Sequence, residues 1–352
     1  MQPFDGHSER PFGHERRRSP RLLAGIATIA VAFGGCSQGA GISPVASGAA
    51  VGSPSGSCKL ADPAAGTYAS SSLAAGAEAP SLLVLADCAD GSTALWRLDS
   101  AGVWTSVGPV AGGRAIARDE SGITIARTDS LETRSASEPG ASSGTVALKW
   151  PASAPAAPIR AIDRSPSGAT AIIVADEHGQ AYSIASADGA VSAIRGAPGV
   201  SFAQCVAWID TDRLLTLSDG TDATSRMVVL NASTGSSEAI ATMIGVRWFA
   251  LSQDRSTVAV ALDGGMYVSQ VSALLAGKQP AWLGSVGPSQ TIQDLALDAT
   301  GTHLAVLVAT TNDDGTASNT RELGYVTHAS GWSWTYDAPV PFARSLGQVW
   351  LG

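Results

Sequence analysis

Between residues 81 and 352, short apolar and β-branched runs alternate with polar turns, a pattern with a period of two that predicts strands. The runs recur as a unit. Ile159-Arg160-Ala161-Ile162-Asp163-Arg164-Ser165-Pro166-Ser167-Gly168 leads into Ala171-Ile172-Ile173-Val174-Ala175. Val246 to Asp254 leads in the same way into Thr257–Ala261, and Ile292 to Gly301 into His303–Val308. Weaker copies begin near Arg114 and Ala203, so the interval is roughly 43 to 46 residues, enough for four short strands. Third strands are expected at Gln180–Ile184 and Met227–Leu230, and fourth strands at Thr145–Trp150 and Trp332–Tyr336. The pairs Asp188-Gly189, Asp219-Gly220, Asp263-Gly264 and Asp314-Gly315 supply hairpin turns. No amphipathic helix is expected between them.

The two ends of this region are complementary. Residues 81–110 hold only three strands, Leu82–Ala86, Thr93–Leu98 and Val103–Val107, while Leu346–Leu351 stands alone at the C-terminus. A ring that takes its last strand into its first sheet accounts for both and leaves no open sheet edge. The expectation is an all-β, six-bladed β-propeller over 81–352. Its blades are expected near 81–110 plus 345–352, 112–151, 159–197, 203–243, 246–286 and 292–340. The repeat pattern resembles WD40-like and TolB-type propellers, and the chain is similar to the propeller region of the LpqB lipoprotein family. A β-sandwich is the competing arrangement that short alternating strands permit.

The N-terminal part reads differently. Arg16, Arg17, Arg18 and Arg21 precede an apolar stretch from Leu22 to Gly35, which ends in Phe33-Gly34-Gly35-Cys36. That order resembles the lipobox of bacterial lipoproteins, in which the cysteine receives diacylglycerol after residues 1–35 are removed. Residues 36–80 are dominated by Gly, Ala, Ser and Pro and read as a flexible tether. No apolar run reaches the length of a membrane-spanning helix. The expected location is therefore the outer face of a bacterial membrane, with Cys36 as the lipid anchor.

Composition narrows the function. The chain of 352 residues carries a net charge of −8, and loss of the five arginines and three acids of residues 1–35 makes it −10. An acidic body is a poor partner for nucleic acid, whose binding rests on neutralising phosphates. Outside the cytoplasm the remaining cysteines Cys58, Cys88 and Cys205 invite pairing. The expected disulfide is Cys58–Cys88, which pins the tether to the first strands; the alternative is three free thiols, with Cys205 a small buried apolar residue.

Catalytic patterns are sparse. Gly140-Ala141-Ser142-Ser143-Gly144 matches G-x-S-x-G, but it stands before a strand rather than between a strand and a helix, so a hairpin turn is expected. His178, His303 and His328 fall in different repeat contexts. Asn312-Asp313-Asp314-Gly315 lacks the alternating ligands of a calcium loop and reads as a hairpin tip. No cofactor or metal is expected. Candidate binding groups are the charged residues near first strands, Arg114, Arg160, Arg247, Asp294 and Arg344, and the pair Trp332 and Trp334, which share one face of a strand. The expected function is a non-enzymatic binding or scaffold module for a protein partner or small ligand. The alternative is a propeller enzyme, lactonase-like or quinone-dependent and sugar-oxidising, with its site at the channel mouth.

Overall fold

Alternating side chains that must bury one face at a time make strands, and strands dominate the chain. The computed structural model describes residues 67–69, 81–88, 90–152, 159–168, 170–174, 181–185, 187–194, 200–219, 225–262, 265–311, 317–327, 333–342 and 344–351. They form six antiparallel sheets, met in chain order. The first contains β1 (Thr67–Ala69), β2 (Leu82–Asp87), β3 (Thr93–Leu98) and β4 (Val103–Pro109). The second contains β5 (Gly113–Asp119), β6 (Gly122–Arg127), β7 (Ser130–Arg134) and β8 (Ser142–Ala147), and the third β9 (Ala161–Arg164), β10 (Thr170–Val174), β11 (Ala181–Ala185) and β12 (Val191–Ala193). The fourth contains β13 (Val200–Trp208), β14 (Arg213–Asp219), β15 (Ser225–Asn231) and β16 (Ser237–Ile244). The fifth contains β17 (Val246–Leu251), β18 (Thr257–Leu262), β19 (Gly265–Gln270) and β20 (Ala281–Ser285). The sixth contains β21 (Gln290–Leu297), β22 (His303–Thr311), β23 (Ala317–Thr327) and β24 (Ser333–Pro339).

Strands follow one another within each sheet, so that β5, β9, β13, β17 and β21 are edge strands. The last strand, β25 (Arg344–Trp350), takes the corresponding edge of the first sheet, whose order is β1-β4-β3-β2-β25. It runs antiparallel to β2, with Leu82 opposite Trp350 and Asp87 opposite Arg344.

Three details differ from the sequence reading. The segment read as tether contributes β1, which adds to the outer edge of β4 with Tyr68 opposite Trp104. Ser142–Gly144, read as a turn, begins β8, because Gly144 and Ser142 pair with Thr133 and Arg134, leaving Ser143 in a bulge between them. A short helix, α1 (Val271–Leu275), follows β19 and turns Val271 and Leu274 inward.

The core lies between sheets rather than inside any one of them. Leu83, Leu85 and Leu95 of the first sheet pack with Ile116, Ile123 and Ile125 of the second. Ala126 and Leu131 of the second meet Ile162 and Tyr182 of the third. Ala181 of the third meets Val206 and Trp208 of the fourth, and a large cluster joins the fourth, fifth and sixth. Ala296, Ala305 and Leu307 of the sixth pack against Leu82, Trp96 and Trp350 of the first. Neighbouring sheets approach closely enough that a Cβ on Gly301, whose φ is +74°, would lie 2.3 Å from the Thr257 Cβ. Only glycine fits there.

Candidate functional site

Each edge strand turns residues inward, and together they line two cavities that meet end to end. The first, of about 180 Å3, is lined by Ile116–Arg118, Ile162–Asp163, Val206–Ala207, Phe249–Leu251, Leu295–Leu297 and Gln348–Trp350, with Gln253, Arg255 and Ala299 at its mouth. The second, of about 160 Å3, carries Arg160, Gln293, Asp294 and Ser345 among its lining. Ile116, Ile162, Val206, Phe249 and Gln348 belong to both. Four of those five are apolar, so the channel has a greasy waist and two polar ends. One strand from every sheet contributes: β5, β9, β13, β17, β21 and β25.

The first mouth is built by a turn that breaks the repeat's own rule. In the third and sixth sheets the turn after the edge strand closes on a glycine in the left-handed region, Gly168 (φ +68°) and Gly301 (φ +74°). In the fifth sheet the same place is held by Arg255, with φ +59°, the sole non-glycine residue with positive φ among the described residues. Its N–H closes the turn on the Ser252 carbonyl at 3.0 Å, as Gly168 does on Ser165. That backbone costs a non-glycine residue about 1–2 kcal/mol. The side chain offsets it by crossing to the third sheet. There its guanidinium bonds both Asp163 carboxylate oxygens at 3.0 Å and the Arg164 carbonyl at 2.9 Å. Asp163 also accepts the Trp208 N–H at 2.7 Å, so one carboxylate ties the third, fourth and fifth sheets.

Asp163→Ala is expected to lower unfolding free energy by about 3 kcal/mol, because it strands a nearly buried guanidinium and a backbone N–H. Arg255→Gly is expected to cost clearly less, since glycine relieves the strained backbone and Asp163 keeps the Trp208 bond. Urea unfolding of the two variants checks the order; equal losses would overturn this account of the turn.

The second mouth is organised by Asp294. Its carboxyl accepts the Leu295 N–H at 2.9 Å and the Ser345 hydroxyl at 2.9 Å. Enclosure by protein raises its pKa to about 7, with the two hydrogen bonds opposing that rise only in part.

The sequence-selected residues are mostly not brought together. Arg160 and Asp294 share the second cavity. Arg114 is exposed, and Arg344 instead pairs with Asp87 of β2. Arg247 lines neither cavity. Trp334 lies in β24, while Trp332, Cys36, Cys58, His178, His328 and Asp313–Asp314 fall outside the described residues. His303 is held at its ring nitrogen by Asp298, at 2.6 Å. Cys88 and Cys205 are each disulfide-bonded, so neither is the free thiol of the alternative reading. The residues that do converge, Arg118, Asp163, Arg255 and Gln348, were not singled out. One signal was available for Arg255: aligned on its repeat, it stands where its counterparts are glycine.

No family model matches the chain, and no curated protein does. Solved structures match its shape. TolB from Acinetobacter baumannii superposes with a TM-score of 0.53 at 14% identity, over 78% of this chain and 67% of that one. A chain of a nidogen–laminin complex gives 0.53 at 10%, over 77% and 98%. The fold is a β-propeller. A putative TolB from Agrobacterium tumefaciens aligns with a TM-score of 0.50 at 9% identity, over 77% of this chain and 94% of that one. At such identities the likeness concerns the propeller alone. In a propeller, four-stranded antiparallel sheets pack side by side as blades around a channel.

Proposed function

We propose that this chain is an exported, lipid-anchored propeller of six blades, closed by its C-terminal strand, that acts as a protein-binding scaffold. Closure is supported by the pairing of β25 with β2 and by the apolar cluster between the sixth and first sheets. The observation that carries the binding role is a face made of stiff loops. The turns after β5, β9, β13 and β17 gather around a groove of about 270 Å3 that includes Glu120, Pro166, Asp210, Thr211 and Asp254. Aspartates hold three of these turns: Asp119 accepts the N–H groups of Ser121 and Gly122, Asp210 those of Asp212 and Arg213, and Asp254 that of Ser256. Loops ordered in advance lose little entropy when a partner docks. The solved likenesses include TolB proteins and a chain from a protein–protein complex.

The anchor rests on the order of basic cluster, apolar stretch, small residues and Cys36. Two acyl chains on one cysteine give stable attachment. Cys36→Ser is therefore expected to move the protein from the membrane to the soluble fraction, read by fractionation and blotting. Intact-mass analysis gives a second readout. A diacylglyceryl increment on the Cys36 peptide supports the anchor, and a disulfide containing Cys36 overturns it. For the docking face, Glu120→Arg and Thr211→Arg should lose whatever partner the parent captures from the cell envelope. Retention of that partner by both variants would count against this face.

A further inference from the structure

The first channel cavity holds a positive charge that no carboxylate among the described residues neutralises. Arg118, on β5, donates to the Trp350 carbonyl, and among the described residues its guanidinium meets no carboxylate. Its Nε is buried without a hydrogen-bond partner. Burial also holds its pKa below the ordinary arginine value. Opposing charge is close by but already committed, because Asp163 spends both oxygens on Arg255 and one of them also on the Trp208 N–H.

A second side chain with an unmade donor belongs to the same cavity's lining. Gln348 of β25 is 9% exposed, lines the cavity and has an amide Nε2 with no partner. A buried amide donor and a buried guanidinium N–H left unmade are each costly. Both lack what an oxygen anion supplies. Around them lie Ile116, Ile162, Val206, Phe249 and Leu295.

We propose that this cavity is a binding site for a small monocarboxylate with an apolar body, its carboxylate held by Arg118 and Gln348 and its hydrocarbon part lodged against the waist. The charge count selects the monoanion. One unneutralised guanidinium balances one carboxylate, whereas a phosphate dianion would leave a second charge to be desolvated. A planar guanidinium beside an amide donor also matches the in-plane lone pairs of a carboxylate. The site adjoins the loop-face groove, with which it shares Gln253 and Arg255.

The test is calorimetric titration of the full chain with butanoate, butanamide and inorganic phosphate, on the parent and on Arg118→Met and Gln348→Leu. Butanoate should bind the parent at least ~10-fold more tightly than it binds Arg118→Met, the scale of one lost charged hydrogen bond. Gln348→Leu should weaken it several-fold, and butanamide and phosphate should bind the parent no better than butanoate binds Arg118→Met. If Arg118→Met fails to fold, the Gln348 side-chain amide resonance of the parent gives the second readout and should move on adding butanoate. Absence of butanoate binding at millimolar concentration, equal affinity in parent and variants, preference for phosphate, or an unmoved Gln348 resonance would each overturn the proposal.

Discussion

Removing residues 344–352 is expected to abolish the cooperative thermal transition of the whole propeller, not merely to fray one end. The segment is the inner strand of the first blade. Gln348, Val349 and Trp350 are buried in it, and Leu346 and Leu351 pack at the edges of the same core. Its bonds reach three blades. Trp350 Nε1 donates to the Ala296 carbonyl at 3.0 Å, the Ser345 hydroxyl donates to Asp294, Arg118 donates to the Trp350 carbonyl, and the ladder runs along β2. Losing the burial of Val349 and Trp350, at ~1.5–3 kcal/mol each, costs roughly 3–6 kcal/mol before the part-buried Leu346 and Leu351 and the uncovered neighbours are counted. That is comparable with the whole stability of a typical domain. Truncation also exposes β2 as an unpaired, fully buried-type edge, which invites aggregation. Circular dichroism melts of the truncated chain decide it: a transition within about 5 °C of the parent would refute the claim that the last strand holds the ring together.

Asp294→Asn should stabilise the protein at neutral and alkaline pH and leave it little changed in acid. The Asp294 carboxyl is enclosed, so its proton is retained in the fold to about pH 7, while the unfolded chain releases it near pH 4. Between those values the folded state binds more protons than the unfolded one, so this group's contribution to stability falls as pH rises. Above pH 7 the loss is complete and constant. Below pH 4 both states are protonated and the group contributes nothing to the slope. Asparagine keeps the acceptor for the Leu295 N–H and offers an N–H to the Ser345 oxygen without ever ionising. The expected gain at pH 8 is on the order of 2–4 kcal/mol, shrinking towards zero at pH 4. Urea midpoints of parent and variant at pH 4, 6 and 8 measure it, and a difference that does not change with pH would show that Asp294 titrates alike in the folded and unfolded chain.

Much of the architecture was legible because it is written locally. The first-strand copies at Ile162, Phe249 and Leu295 alternate with period two, and their turns carry Ser, Asp and Gly at fixed offsets. Those features decide strand, hairpin and repeat length without reference to distant residues. The three-strand start at Leu82 and the solitary strand at Val349 likewise pointed to each other. What failed was convergence. Arg114 aligns with Arg160 on the repeat yet is exposed, and Arg344 turns to Asp87, because which side chains meet is set by partners on other strands and not by the local pattern. The expected turn at Ser142 became strand because Thr133 and Arg134 offered it a partner.

The sequence by itself determined the units: short antiparallel sheets, the strands and hairpins within them, and an acidic, cysteine-bearing chain. Those properties depend on neighbours within a few residues, where periodicity and turn chemistry act. The tertiary structure alone decided the chemistry of the channel. Asp163 and Arg255 are 92 positions apart and Arg118 and Trp350 232 apart, and only the packing of blades around an axis sets them against one another. A strained Arg255 and, among the described residues, an Arg118 without a carboxylate and a Gln348 Nε2 without a partner are consequences of that packing, since burial gives each of them its energetic meaning.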